Sequence, residues 1–250
     1  MARIKRLRVF AGPNGSGKST LFHVINEQFQ TGPFVNADII ESHLSATGYV
    51  NLADFGLQLS QRDLDSFFQQ PASLSLLEKS RKAGHEITIL IKNNIIVDRG
   101  RKTHSYEASL ITAFIRSHLM KKGVSYAFES VMSHPSKLEE IKHAKELAYK
   151  TYLYFVCLDD PLLNISRVSN RVEKGGHAVP DEKIIQRYDR VLDLLLSAVG
   201  ICEKSFLFDN SSAAGMTLIA QLDKGQLTIM VDEDKLPNWF ISSIINRIDY

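Results

Sequence analysis

The stretch Gly12-Pro13-Asn14-Gly15-Ser16-Gly17-Lys18-Ser19 has the pattern G-x-x-x-x-G-K-S. A β-prone run precedes it at residues 7–11, and residues 20–27 space their apolar side chains as a helix does. Glycines let the backbone turn so that successive N–H groups face one point, and a helix N-terminus behind such a loop favours an anion. Strand, loop and helix in this order predict a phosphate-binding loop (P-loop). The alternative is a chance match on a glycine turn.

The loop residues have predicted roles in binding a nucleotide together with Mg²⁺. Lys18 is expected to reach the β- and γ-phosphates, and the Ser19 hydroxyl is a ligand for Mg²⁺. The residues expected to contact ATP or GTP are Gly12, Pro13, Asn14, Gly15, Ser16, Gly17, Lys18, Ser19 and Thr20.

Strand-like and helix-like segments alternate along the rest of the chain. This alternation predicts an α/β fold of the P-loop NTPase or kinase type, with three layers and a doubly wound, mostly parallel sheet. We expect a single P-loop kinase domain over 1–250, with a helical and β insertion at 45–104 and a β-hairpin with a helix at 213–250. The insertion is predicted to contain helices at 60–70 and 71–83, and strands at 87–91 and 95–97.

The composition excludes some classes of partner. The formal net charge of +2 gives little support for binding to nucleic acid or to a membrane surface. No apolar run approaches the roughly 20 residues of a membrane span. Cys157 and Cys202 lie in apolar stretches and are predicted to be buried free thiols, which suits a reducing compartment. We therefore expect a cytoplasmic protein without nucleic-acid or membrane partners.

Two carboxylates are predicted at the carboxyl ends of strands, where open parallel sheets bind ligands. Asp38 closes a short strand at 33–38, and Glu129 follows a strand at 125–128. Phosphoryl transfer needs a group that orients or deprotonates the acceptor hydroxyl. Asp38 is the first candidate, because its strand follows the P-loop helix directly, whereas Glu129 is expected to bind Mg²⁺ through water or to hold the acceptor. The alternative for each carboxylate is a helix N-cap or a first-turn anion.

Two arginines are predicted on one face of a helix, four residues apart, at Arg167 and Arg171. A glycine-containing break at 174–177 follows them, so the pair is expected to belong to a lid that stabilises charge on the transferred phosphoryl group. The alternative is a solvated helix face that pairs with acids such as Glu173.

Other cationic and polar residues carry a weaker signal. Arg187 and Arg190 are interpreted as part of a solvated helix face. The turn at 209–211 either borders the nucleotide base or is only structural.

These motifs in this order resemble the zeta toxin family of P-loop kinases. The F-E-S-V-M-S-H element at 128–134 and the N-R-V-x-x-G-G-H-x-V-P element at 170–180 are the most specific. The resemblance does not extend to much of 45–104 or to the tail after 212. The matching stretches are 9–20, 34–38, 126–134, 152–156, 164–172, 175–180 and 208–211.

The resemblance implies transfer of phosphate from ATP or GTP, with Mg²⁺, to a small-molecule hydroxyl such as that of UDP-N-acetylglucosamine, and neutralisation by an antitoxin protein. Under it, Lys18 binds phosphate, Ser19 binds Mg²⁺, and Asp38 is the base. Glu129 falls at the place of a substrate-binding acid, and Arg171 at that of a phosphate-stabilising arginine.

The sequence departs from the family at His177. This residue occupies the place of a second arginine, and imidazole lacks the bidentate fork of a guanidinium. His177 is kept as a substrate-binding candidate, and Arg167 is expected to compensate as a catalytic residue.

Three functions compete at this point: a small-molecule kinase, a nucleotide-regulated binding module without an acceptor, and a polynucleotide kinase. The set of Asp38, Glu129 and Arg171 favours the first, because a switch protein needs no acceptor base. A polynucleotide kinase would favour a basic track with stacking aromatic side chains, and the net charge gives that function little support.

Overall fold

The structure is a computed structural model that describes residues 4–176 and 178–248. Its strands are β1 (Arg6–Ala11), β2 (Phe34–Val35), β3 (Tyr49–Asn51), β4 (Ile89–Lys92), β5 (Ile95–Asp98), β6 (Tyr126–Ser130), β7 (Lys150–Cys157), β8 (Lys204–Asp209), β9 (Thr217–Asp223) and β10 (Gln226–Ile229). Its α-helices are α1 (Lys18–Gln28), α2 (Ala37–Thr47), α3 (Gln61–Phe68), α4 (Pro71–Lys82), α5 (Ser105–Lys121), α6 (Ser136–Glu146), α7 (Pro161–Glu173), α8 (Asp181–Ile201) and α9 (Asn238–Ser243).

The chain divides into two compact units. The first contains the residues up to Thr31 and those from Ala127 onward, and the second contains Gly32–Tyr126. The segment 45–104, predicted as an insertion, lies within the second unit. Its description as an insertion in a single domain stays a prediction.

The sheet of the first unit has the strand order β10-β9-β8-β7-β1-β6. Strand β7 pairs in parallel with both β1 and β8, whereas β8–β9 and β9–β10 are antiparallel. The prediction of an α/β fold with a mostly parallel sheet is confirmed. The carboxyl ends of β1, β7 and β8 therefore meet at one edge of this sheet, and the P-loop follows β1 there.

A stack of aromatic rings crosses three strands of this sheet. The ring of Tyr154 lies 4.8 Å from that of Phe10 and 5.2 Å from that of Phe206, with nearly parallel planes. These residues are register partners on β1, β7 and β8. Phe10 also meets Phe22 of α1 edge-on at 5.3 Å. Apolar packing therefore fixes both the strand before the P-loop and the helix after it.

The second unit contains a three-stranded antiparallel sheet in the order β3-β5-β4. The predicted helices at 60–70 and 71–83 correspond to α3 and α4, and the predicted strands correspond to β4 and β5. Asn93 and Asn94 form the turn between these strands with φ of 50° and 64°, a region that asparagine tolerates. Strand β3 was not predicted, because three residues carry too little periodicity to stand out.

The tail forms the predicted hairpin, β9 and β10, but the closing helix, predicted near 239–248, is shorter. Helix α9 ends at Ser243 because the backbone of Ile244 leaves the helical region, and a 3-10 turn follows at Ile245–Arg247. In the described part of the chain, no helix combines the length and the hydropathy that a bilayer crossing requires.

Both cysteines are buried free thiols, as predicted. Burial raises the pKa of the Cys202 thiol to about 12, and it raises the pKa of the Cys157 thiol further.

Candidate active site

The P-loop connects β1 to α1, and a Cβ on Gly12, Gly15 or Gly17 would lie less than 3.0 Å from a neighbouring atom. A Cβ on Gly12 would lie 2.0 Å from the carbonyl oxygen of Val156 on β7. Gly17 is the N-cap of α1 and has a φ of +106°, which residues with a side chain rarely adopt. Because α1 begins at Lys18, the N–H groups of its first turn have no acceptor within the helix and point out of its end. The loop therefore has the geometry of an anion site.

Lys18, Ser19 and Glu129 form a polar cluster at the start of α1. The Lys18 ammonium is buried, with 5% of the residue exposed, and it donates to the carbonyl oxygen of Pro13 at 2.8 Å. It also lies 3.7 Å from Glu129 Oε1. The Ser19 hydroxyl donates to Glu129 Oε2 at 2.7 Å. One carboxylate thus bridges the two P-loop residues that carry the predicted chemistry.

The oxygen atoms of this cluster fit a hard divalent cation. A hydroxyl oxygen of Ser19 and a carboxylate of Glu129 lie within hydrogen-bonding distance beside the phosphate loop, and Mg²⁺ binds oxygen ligands together with substrate phosphates. Ser19 and Glu129 are therefore the residues that would hold Mg²⁺.

Glu129 was predicted to follow the end of its strand, but it lies within β6. Strand β6 continues to Ser130, so the predicted end at residue 128 is wrong. The carboxylate is 14% exposed and is held by Lys18 and Ser19. The alternative of a helix N-cap does not apply, because α6 begins only at Ser136.

Two asparagine amides hold carbonyl groups of the P-loop. The fully buried Asn164 of α7 donates from Nδ2 to Asn14 O at 2.6 Å. Asn210, after β8, donates from Nδ2 to Ser16 O at 2.8 Å. Sequence reasoning assigned no role to Asn164. Its signal was the i,i+3 spacing to Arg167, which places both on one helix face.

Arg167 and Arg171 both lie on α7, as predicted, and they line one cavity. The cavity has a volume of about 420 Å³ and is lined by Arg167, Asn170, Arg171, Lys174, Gly175 and Gly176. Arg167 is half-buried and donates from Nη2 to Asn210 O at 2.8 Å. A Cβ on Gly176 would lie 2.6 Å from Arg171 Cγ, so the glycine leaves room for this side chain. His177 lies outside the described residues.

The turn at 209–211 is tied to the C-terminal segment. Asp209 Oδ1 accepts from Trp239 Nε1 at 2.9 Å and from the Ser211 hydroxyl at 2.8 Å, and Oδ2 accepts from Ser211 N at 3.1 Å. Asp159 Oδ1 accepts from Trp239 N at 2.9 Å, and its Oδ2 accepts from Asn238 Nδ2 at 2.8 Å. Helix α9 therefore holds the loops after β7 and β8, and the second of these loops carries Asn210 to the P-loop.

Arg187 and Arg190 have different environments on α8. Arg190 is exposed, in agreement with a solvated face. Arg187 is half-buried and directs Nη1 at Asn14 Oδ1, 3.4 Å away. Its interpretation as part of a solvated face is therefore wrong.

Asp38 lies in the second unit and not at the end of a strand. Strand β2 stops at Val35 because Asn36 caps α2, its Oδ1 accepting from Ile39 N at 3.1 Å. The predicted strand at 33–38 is therefore too long. Asp38 is exposed in the first turn of α2, where the helix dipole favours a carboxylate. It is not the N-cap, but it is a first-turn anion, as the alternative interpretation expected.

Comparison with known sequences gives one partial match. No protein-family model matches the chain. An uncharacterized protein of Haemophilus influenzae is 28% identical over 69 residues, which make up 28% of this chain and 49% of that protein.

Solved structures match over most of the chain. The native AvrRxo1-ORF1:-ORF2 complex covers 98% of this chain at 14% identity, with a TM-score of 0.55. The same complex with ATP covers 91% at 14% identity, with a TM-score of 0.52. The PezAT toxin–antitoxin system of Streptococcus pneumoniae covers 84% at 14% identity, with a TM-score of 0.44.

The chain has a P-loop kinase-like α/β fold, which it shares with the AvrRxo1-ORF1:-ORF2 structures.

At 14% identity, this similarity is one of fold. The chain spans 61% of the AvrRxo1 chain solved with ATP and 67% of the native one, and 68% of the PezAT chain. Within this fold, the first unit brings together the P-loop, Glu129, Arg167 and Arg171, all named from the sequence. The structure adds Asn164 and Arg187 to this set, because both contact Asn14 of the P-loop.

Proposed function

We propose that this protein is a Mg²⁺-dependent kinase that transfers the γ-phosphoryl group of ATP or GTP to a hydroxyl of a small molecule. The observation that carries the proposal is the cluster of Lys18, Ser19 and Glu129 beside the P-loop. It combines a buried ammonium at 3.7 Å from a carboxylate with a hydroxyl at 2.7 Å from the same carboxylate. Cation, hydroxyl and acid at this place are the groups that bind a nucleotide phosphate with Mg²⁺.

The nucleotide is held by the loop backbone and by Lys18. The P-loop N–H groups and the N-terminus of α1 bind the phosphate oxygens, and Lys18 binds the β- and γ-phosphates. Ser19 and Glu129 would hold Mg²⁺, which would neutralise charge on the nucleotide phosphates. Asn164 and Asn210 keep the loop carbonyls of Asn14 and Ser16 turned away from the phosphates.

The transfer step exchanges one phosphorus–oxygen bond for another. The acceptor hydroxyl oxygen forms a bond to the γ-phosphorus, the bond from that phosphorus to the bridging oxygen breaks, and ADP or GDP leaves. The hydroxyl proton passes to Asp38, which is exposed and therefore accessible to an acceptor. Arg167 and Arg171 stabilise the charge on the transferred group from their shared cavity. Glu129 and His177 complete the acceptor side.

The substrate and partner are proposed from similarity. Resemblance to the zeta toxins supports an acceptor of the UDP-N-acetylglucosamine type and an antitoxin partner. The AvrRxo1 structures contain two proteins, ORF1 and ORF2, and one of these structures was solved with ATP. These findings support nucleotide use and a protein partner for this chain.

The test is incubation with labelled ATP or GTP and a panel of UDP-sugars, nucleosides and oligonucleotides. We expect label transfer to a small molecule by the wild type. Lys18→Ala should abolish nucleotide turnover, with Lys142→Ala, which removes an exposed lysine of α6, as the matched control. Asp38→Asn should bind nucleotide normally but lose transfer, whereas Asp54→Asn, another exposed aspartate of the second unit, should not.

Each failure points to a different part of the proposal. Tight nucleotide binding without transfer to any compound would favour the nucleotide-regulated binding module. Transfer to oligonucleotides alone would favour a polynucleotide kinase. Full activity of Asp38→Asn would contradict the assignment of the base.

A further inference from the structure

Arg187 carries a positive charge that no acid of the described residues neutralises. The residue is half-buried, and its one described polar contact is the neutral amide oxygen of Asn14 at 3.4 Å. Asp193 on the same helix pairs instead with Arg247 at 3.1 Å. Arginine side chains held partly out of water usually have an anionic partner, because the guanidinium is never deprotonated in proteins.

Asn14 lies beside the part of the P-loop that the Lys18 ammonium contacts. Lys18, whose ammonium reaches the β- and γ-phosphates in such loops, donates to the carbonyl of Pro13 at 2.8 Å. Pro13 precedes Asn14 directly, so the terminal phosphate group belongs beside this part of the loop. The amide oxygen of Asn14 holds the Arg187 guanidinium at this end of the loop. The other N–H groups of that guanidinium remain available for oxygen acceptors.

We propose that Arg187 binds the terminal phosphate of the nucleotide and stabilises its charge during transfer, as a third arginine beside Arg167 and Arg171. The long contact to Asn14 orients the guanidinium, and phosphate oxygens are its preferred acceptors. This inference rests on the proposed kinase function, and it adds α8 to the elements that contact the nucleotide.

A purely structural role for Arg187 makes a different prediction. If Arg187 only supported Asn14, its loss would loosen the whole loop and weaken ADP and ATP binding alike. If it contacts the terminal phosphate, ADP binding is preserved, because ADP lacks that group. The ratio of the two affinities therefore separates the two roles.

The experiment compares Arg187→Gln and Arg187→Lys with Arg190→Gln, which removes an exposed arginine of the same helix. Calorimetry measures binding of ADP and of a non-hydrolysable ATP analogue. If the wild type prefers guanine nucleotides, GDP and a non-hydrolysable GTP analogue are used instead. Hydrolysis of the nucleotide by water gives kcat without an identified acceptor. ADP binding also reports that each variant is folded.

For Arg187→Gln we expect about a 10-fold or larger loss of affinity for the ATP analogue, ADP affinity within about twofold, and a kcat lower by about 10²-fold. Arg187→Lys should recover part of the analogue affinity, because it keeps the charge but not the fork. Arg190→Gln should match the wild type. Equal losses for ADP and the analogue, or no loss for either, would overturn the inference and leave the kinase proposal intact. A wild type that binds and turns over neither nucleotide would overturn both.

Discussion

Replacing Asp209 by Asn tests whether the C-terminal segment supports the P-loop. The carboxylate accepts three hydrogen bonds, from Trp239 Nε1 at 2.9 Å, the Ser211 hydroxyl at 2.8 Å and Ser211 N at 3.1 Å. Asparagine has nearly the same shape but only one acceptor oxygen. In the better orientation, its oxygen keeps Trp239 and the hydroxyl, and its NH₂ group then faces the N–H of Ser211.

The expected loss of stability follows from these contacts. Breaking one hydrogen bond to a carboxylate costs about 1.5–3 kcal/mol. The two remaining bonds weaken because charge-assisted hydrogen bonds are about twice as strong as neutral ones. We therefore expect the free energy of unfolding to fall by about 3 kcal/mol, which lowers the urea midpoint by about 1 M.

Trp239 is the single tryptophan of the chain and is 2% exposed, so its fluorescence reports unfolding of the first unit. Urea titrations of Asp209→Asn should be followed by fluorescence and by circular dichroism to check for a single transition. Asp232→Asn is the control, because its carboxylate pairs with Lys235 on the surface and should contribute little. Because Asn210 follows Asp209 and donates to Ser16 O, nucleotide affinity should also fall. A midpoint within the control's range would refute the reasoning.

Other changes test further parts of the structure. Gly17→Ala should abolish nucleotide binding in a dialysis assay, because its Cβ would lie 2.6 Å from Asn210 Nδ2 and φ is +106°; normal binding would show that the loop relaxes. Cys157 and Cys202 should resist a thiol reagent at pH 8 until urea is added, because burial raises the pKa of both thiols; rapid labelling of folded protein would contradict this. Desolvation lowers the pKa of His118 below 6.5, so its contribution to stability is complete above that pH and lost as pH falls through the lower folded pKa. His118→Gln should therefore reduce the loss of unfolding free energy between pH 7.5 and 5, and an unchanged loss would oppose this assignment.

Local signals in the sequence predicted most of the fold. The glycine pattern at 12–19 predicted the loop between β1 and α1, and Asn93-Asn94 predicted a turn, because each feature depends on residues adjacent in the chain. Boundaries were less predictable where one residue decides them. Asn36 ends β2 by capping α2, and no periodicity signals this.

The site was predicted in its parts but not in its connections. Ser19 and Glu129 were both named, but their hydrogen bond spans 110 positions of sequence. Asn164 contacts Asn14 across 150 positions, and Trp239 contacts Asp209 from a helix whose predicted length was wrong. Such contacts depend on which strands are neighbours, and strand order is a property of the whole sheet.

The position of β1 in the sheet has a consequence for synthesis of the chain. Strand β1 is translated before its partner β7, which begins only at Lys150. At about 5–20 residues per second, residues 12–149 take about 7–28 s to translate. During that time the second unit emerges as a continuous segment, whereas Leu7, Val9 and Phe10, fully buried in the finished protein, have no strand partner in β7. The nascent chain therefore exposes an apolar segment directly beside the P-loop while the second unit is being made.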